Sequence, residues 1–257
     1  VESGVADWVE AHWETFHEGL TGEYEGSPFP CFFGSESVRA GEPLYTVVPS
    51  MTERDALLGL RDVLVEYLDV WPDHAERASL VTFFSPPQQG WGEPKYHEAL
   101  WHVLQFLHIH DPAPWPEDIP TDPDDPYWEF TFAGHPMFPT CRAPFYDVRR
   151  SRYCPVGLEI TFQPRELFER LEVTAETKAG QQARELIQNR IDDYDGMCPH
   201  ADIGDYGQDL EWPQYMLSAN PDKAPDSCPI QVTREHPKIS ERLDPGVSRP
   251  LPRQPSD

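Results

Sequence analysis

The densest group of chemistry-capable side chains in the sequence is Arg149-Arg150-Ser151-Arg152. Three guanidiniums within four residues are costly to bury unless anions meet them. The run reads either as an anion clamp, of the kind that grips the propionates of a haem, or as a set of internal arginine–carboxylate pairs. Arg165 follows Pro164 at an expected helix start, where backbone amides also favour an anion. His97, His102, His108 and His110 lie on or just beyond one helix. Positions 97, 101, 104 and 108 share a helical face, so His97 and His108 can both look inward. Imidazole is the common ligand of haem and non-haem iron, and ordinary hydrogen-bonded histidines are the competing reading. His108-Ile109-His110-Asp111 formally supplies two imidazoles and a carboxylate for a facial triad, although so local a spacing is common.

Five cysteines make an odd, low count, which argues against a disulfide framework and fits reduced thiols. Cys31 sits in Pro30-Cys31-Phe32-Phe33, and Cys154, Cys198 and Cys228 each precede a proline. A thiolate can ligate haem iron, whereas a buried inert thiol is the plainer alternative. With no CxxC pair, a structural zinc site has little support. Asp192-Asp193-Tyr194-Asp195 closes a helix at the end its dipole disfavours for acids. Asp205, Tyr206, Glu211, Trp212, Gln214 and Tyr215 add carboxylates among aromatic rings. Carboxylate against an aromatic wall suits a guanidinium or ammonium ligand, and equally an aromatic-rich loop.

Composition narrows the field. The 257 residues include 45 acidic and 20 basic side chains, for a net charge of −25. Duplex nucleic acid needs a basic face, so that class of partner is excluded. Sixteen arginines against four lysines, on an acidic surface, match adaptation to high salt or a generally acidic proteome. No apolar run approaches the ~20 residues that span a bilayer. The opening VESGVADWVE has neither a basic nor an apolar leader segment, so a cytoplasmic protein is expected. There is no GxGxxG, P-loop, GxSxG or HExxH motif, which removes the enzyme classes built on them.

Periodicity predicts helices over 5–20, 52–68, 94–109, 164–171 and 178–194. It predicts strands over 44–48, 79–84, 127–133 and 157–162, with 137–141 pairing back across Gly134-His135-Pro136. Residues 111–126, with six prolines, form a loop. The expected architecture is one α+β domain over 1–232, a mixed and mostly antiparallel sheet flanked by helices. A Pro-rich, poorly ordered tail is expected over 233–257.

Several segments taken in order resemble the YqcI/YcgG family: FPCFFG (29–34), SLVTFF (79–84), ALWHVLQFLHIHD (99–111) and DPYWEFTFAGHPMF (125–138). RRSR (149–152), TFQPRELFERL (161–171), RELIQNRIDDYD (184–195), GDYGQDLEWPQYML (204–217) and SCPI (227–230) continue the series. The resemblance implies b-type haem, O2 with an external electron donor, and hydroxylation of a guanidino or amino nitrogen, as in free arginine. It implies Arg149, Arg150, Arg152 and Arg165 as propionate anchors and His108 as the axial ligand, with Cys31 a further cofactor-binding candidate. Asp195, Asp205, Glu211, Trp212 and Tyr215 would then hold a cationic substrate. Relatives often carry a Pro-Ala-His-like segment before the arginine run; here it is Pro144-Phe145-Tyr146, which makes Tyr146 an alternative ligand. Two other readings stand beside this one: a non-haem metal oxygenase on His108 and His110, and a non-catalytic haem- or ligand-binding protein.

Overall fold

A computed structural model describes residues 6–219 and 226–234. Nearly all of the expected tail therefore lies outside the described residues. The chain runs through α1 (Asp7–Thr21), the two-residue strands β1 (Glu23–Tyr24) and β2 (Ser27–Pro28), α2 (Phe32–Ala40), β3 (Leu44–Val48), α3 (Arg54–His74) and β4 (Leu80–Phe84). It continues with α4 (Glu93–Ile109), β5 (Phe130–Phe132), β6 (His135–Met137), β7 (Thr140–Arg142), a 3-10 turn at Arg150–Arg152 and β8 (Glu159–Phe162). Helices α5 (Arg165–Arg170), α6 (Lys178–Asp195) and α7 (Trp212–Tyr215) complete the order. This is the single α+β domain that the periodicity predicts.

The main sheet has the order β3-β4-β8-β7. Strands β3 and β4 are parallel and linked by α3, while β4–β8 and β8–β7 are antiparallel. Every residue of β4 is buried, as expected of a strand covered on both faces. Alternation sends Leu80 and Phe84 into a large core with Leu57, Leu100, Trp128 and Ile160. Val81 and Phe83 point the other way, against Phe16 and Leu20 of α1 and Val38 of α2.

Three differences from the expected elements have local causes. The hairpin of residues 127–141 turns early: Ala133 and Gly134 both have positive φ (50° and 82°), the two-residue turn that matches strand twist. That pairs Phe130 with Met137 and frees Thr140–Arg142 to join the main sheet. Helix α3 begins at Arg54, because the Ser50 hydroxyl accepts the Thr52 and Glu53 amides, and it runs through Pro72 to His74. Helix α2 is hidden in the sequence by its Pro-Cys entry and its glycine.

Helix α6 is set tightly. The Thr177 hydroxyl accepts the Gly180 amide, capping the helix, and any side chain at position 180 would run into the Thr174 carbonyl. Ala183, Ile187 and Ile191 face inward as expected, but Leu186 is turned to solvent.

Candidate functional site

A cavity of about 380 Å³ opens on the α1/α2 face of the sheet, beneath α6. It falls within the range of roughly 300–1,000 Å³ usual for small-molecule and cofactor sites. Its walls are mainly apolar: Phe16, Leu20, Phe33, Phe138, Phe168 and Ile187. The polar groups gather at two ends.

At one end is Cys31, the residue before the first turn of α2. Burial pushes its thiol up, while the Gly34 and Phe33 amides and the Arg152 and Arg190 guanidiniums pull the other way. Amides at a helix start favour thiolate. Cys141 also borders the cavity, but strand alternation turns it into the large core, where burial drives its thiol far up. Arg142 and Arg152 line the same end. Arg142 is held by Glu159 at 2.8 Å and by the Tyr153 carbonyl at 2.7 Å. Arg152 makes a long contact of 3.4 Å to the Cys141 carbonyl, and no carboxylate pairs with it among the described residues.

At the other end, two buried carboxylates share one guanidinium. Arg165 meets Glu129 and donates to Glu211 at 2.9 Å, with the Tyr206 ring 3.4 Å from the guanidinium carbon. The Tyr215 hydroxyl donates to Glu211 at 2.8 Å and accepts the Phe130 amide at 2.9 Å. Burial raises Glu129 to about 7 despite Arg165, and burial together with Glu129 raises Glu211 well above its ordinary value. Burial works against the Arg165 charge, but Glu129 and Glu211 outweigh it. Two acids against one base leave this end with surplus negative charge when both are ionised.

The sequence candidates divide between the cavity and the packed core. Cys31, Arg152, Arg165 and Glu211 line the cavity. Arg149 is buried and lies 3.7 Å from Asp195, which also accepts from the Ser151 amide and hydroxyl. Arg150 stacks on Tyr24 outside the cavity, 3.9 Å from the ring centre. The expected three-arginine clamp is therefore dispersed. Asp195 fastens the 3-10 turn to α6, and Asp205 pairs with Arg184.

His108 is placed elsewhere: it accepts the Thr233 amide at 3.0 Å, edge-on to Trp115. The Tyr146 hydroxyl is wholly buried and donates to the Leu217 carbonyl at 2.6 Å. Trp212 packs against Trp101, and Tyr215 stands behind Glu211 without bordering the cavity. Among the described residues, neither His108 nor Tyr146 borders the cavity. His110 stacks on Phe106, and Asp111 accepts the Ala113 and Ala133 amides, so the local facial triad does not form. Glu129 was not singled out by the sequence, because an alternating strand reading puts it outward. Its signal was an acid inside the aromatic run Tyr127-Trp128-Glu129-Phe130.

No solved structure matches the chain. It is 31% identical over 239 residues to the uncharacterized protein YcgG of Bacillus subtilis (strain 168), covering 91% of this chain and 92% of that one. It is 32% identical over 207 residues to the uncharacterized protein YqcI of the same organism, covering 79% and 80%. A third relative, 34% identical over 209 residues and covering 79% and 77%, is named "Putative N(omega)-hydroxy-L-arginine synthase DcsA", from Streptomyces lavendulae. The model of the YqcI/YcgG family matches residues 16–231, and with that coverage the chain belongs to the YqcI/YcgG family.

Proposed function

We propose that this protein is a haem-dependent oxygenase that hydroxylates a guanidino nitrogen of a small cation such as free arginine, with the Cys31 thiolate as the iron ligand. The observation that carries the reading is the position of Cys31: a thiol at a helix N-terminus, on an apolar cavity wall, beside an arginine that makes no carboxylate ion pair among the described residues. No histidine lines that cavity among the described residues.

The residues fit the group. Cys31 supplies a soft donor, Arg152 and Arg142 supply cations for propionates, and Phe33 and Ile187 supply apolar wall. Bound there, haem contributes dioxygen activation, which a thiolate ligand favours by pushing electron density toward O–O cleavage. Overall, one oxygen atom goes to nitrogen and the other leaves as water. An external donor provides two electrons, and two protons come from solvent.

The chain's own task is to bind, orient and keep water out. Glu129 and Glu211 offer the cationic end of the substrate two carboxyl groups, whose charge exceeds that of Arg165 when a bound cation draws both into the ionised form. Tyr206 and Phe138 give that end an aromatic wall. A carboxyl group poised near 7 can hold or release a proton on Glu129 at neutral pH. The name of the Streptomyces relative supports arginine as the first substrate to try.

Titration of the full chain with hemin tests this. The expected result is one hemin per chain, with the reduced CO complex showing a thiolate-type spectrum, and hydroxyarginine formed with an electron donor. Cys31→Ser should abolish the thiolate spectrum. Failure of the wild-type chain to bind hemin stoichiometrically, or a spectrum unchanged by C31S, overturns the proposal.

A further inference from the structure

Outside the cavity, three side chains of different metal-binding types converge in the interior. His12 comes from α1, Cys154 from the loop before β8, and Glu159 from β8, and all three are buried. Nδ1 of His12 lies 3.0 Å from Oε1 of Glu159. Sγ of Cys154 lies 3.2 Å from that same oxygen and 3.6 Å from the His12 nitrogen. Tetrahedral zinc with ordinary bond lengths holds sulfur and nitrogen roughly 3.6 Å apart, and pairs involving oxygen roughly 3.4–3.6 Å apart. The sulfur–nitrogen edge already matches. The oxygen is drawn in by a few tenths of an ångström, as expected while it accepts hydrogen bonds.

The surroundings are those of an oriented ligand set. Nε2 of His12 faces the Phe84 carbonyl at 3.1 Å, and the ring stacks on Phe83. Donation of that N–H to the carbonyl leaves Nδ1 as the nitrogen aimed at the cluster, the usual arrangement behind a metal-bound histidine. Arg142 donates to Oε2 of Glu159 at 2.8 Å, leaving Oε1 to face inward. The Gly157 and Val156 amides act on the Cys154 sulfur in favour of thiolate. Burial and the Glu159 charge push that thiol the other way, and its Sγ faces the Glu159 oxygen at 3.2 Å. The cluster is a second site outside the cavity, with no ligand in common with the haem reading although Arg142 borders both, and His12 precedes the family match at 16–231.

We propose that His12 Nδ1, Cys154 Sγ and Glu159 Oε1 bind one zinc ion, joining α1 to β8 behind the cavity wall. Binding displaces two protons, one from the Cys154 sulfur and one shared between His12 and Glu159. The ion replaces the hydrogen bonds among the three side chains with a bond to each.

Elemental analysis and zinc-edge X-ray absorption on the full-length protein test the site, whether or not haem is bound, because iron does not contribute at that edge. One zinc per chain is expected, with a single sulfur neighbour at about 2.3 Å and nitrogen or oxygen neighbours at about 2.0–2.2 Å. Cys154→Ser should remove the sulfur neighbour, and Cys31→Ser should leave it in place. Arg142→Gln should weaken zinc binding by about 10–100-fold, since it orients the carboxylate. Less than stoichiometric zinc after dialysis against a zinc buffer overturns the proposal. So does a shell with no sulfur or with more than one, a result read on the wild-type chain even if C154S fails to fold.

Discussion

The two faces of strand β4 have been put to opposite uses. Toward α3 and α4, Leu80 and Phe84 enter a core crowded with Trp101, Trp128, Phe130 and Tyr215. Some polar groups there have fixed partners, as Tyr146 does at Leu217 and His108 at Thr233, whereas the Trp71, Trp128 and Trp212 indole nitrogens have none among the described residues. Toward α1 and α2 the packing stops at Phe16, Leu20 and Val38, and a cavity begins. Its polar groups are unevenly matched: among the described residues Arg152 makes no carboxylate ion pair and feels Asp195 only at a distance, while Glu129 and Glu211 share one base. On the dense face those indole nitrogens are single polar atoms walled in by apolar side chains, with no ionic group left over at Tyr146 or His108. On the hollow face, unmatched charge is held ready for something from outside.

Three changes sharpen that contrast, beginning with the largest expected effect. Trp128→Ala on the dense face removes a fully buried ring and should destabilise the fold by about 3–5 kcal/mol in urea titrations. A loss under about 1 kcal/mol would show that this face is not the rigid one.

The carboxylate pair comes next. Glu129 is raised in the folded protein from an ordinary value near 4.5 to about 7, so the folded state binds the extra proton between those values. The contribution of this group is therefore greatest below that window and falls as pH rises through it, on the order of 3 kcal/mol in all. Glu129→Gln should flatten that part of the profile. An unchanged slope would assign it to the general self-repulsion of a chain carrying −25.

Arg152→Ala on the hollow face is the mildest. Stability should stay within about 0.5 kcal/mol of wild type while hemin affinity falls about tenfold. Equal losses in both would return Arg152 to the class of structural arginines.

How far the sequence could be read follows the same division. Helices α1, α4 and α6 were legible because their apolar residues recur at helical spacing, as Tyr96, Leu100, Val103 and Leu107 do. The sheet order was not, since pairing β4 with β8 brings together residues some 80 apart. Cys31 was legible as a candidate by its chemistry. What distinguishes it from His108 is which side of the sheet each faces, and local spacing carries nothing of that. The His12–Cys154–Glu159 group lay further out of reach, because 142 residues separate its first two members.

Arg142 has a consequence of its own. Its guanidinium borders the cavity on one side, grips Glu159 on the other, and lies so near Gly19 that a β-carbon there would come within 2.8 Å of Nη2. A guanidinium carries five N–H donors, and Nε of Arg142 has no partner among the described residues, so an anionic guest in the cavity and the interior carboxylate can share this one cation. One side chain thereby joins the chamber to the carboxylate behind its wall, and a methyl group at position 19 would press on the tip of that link.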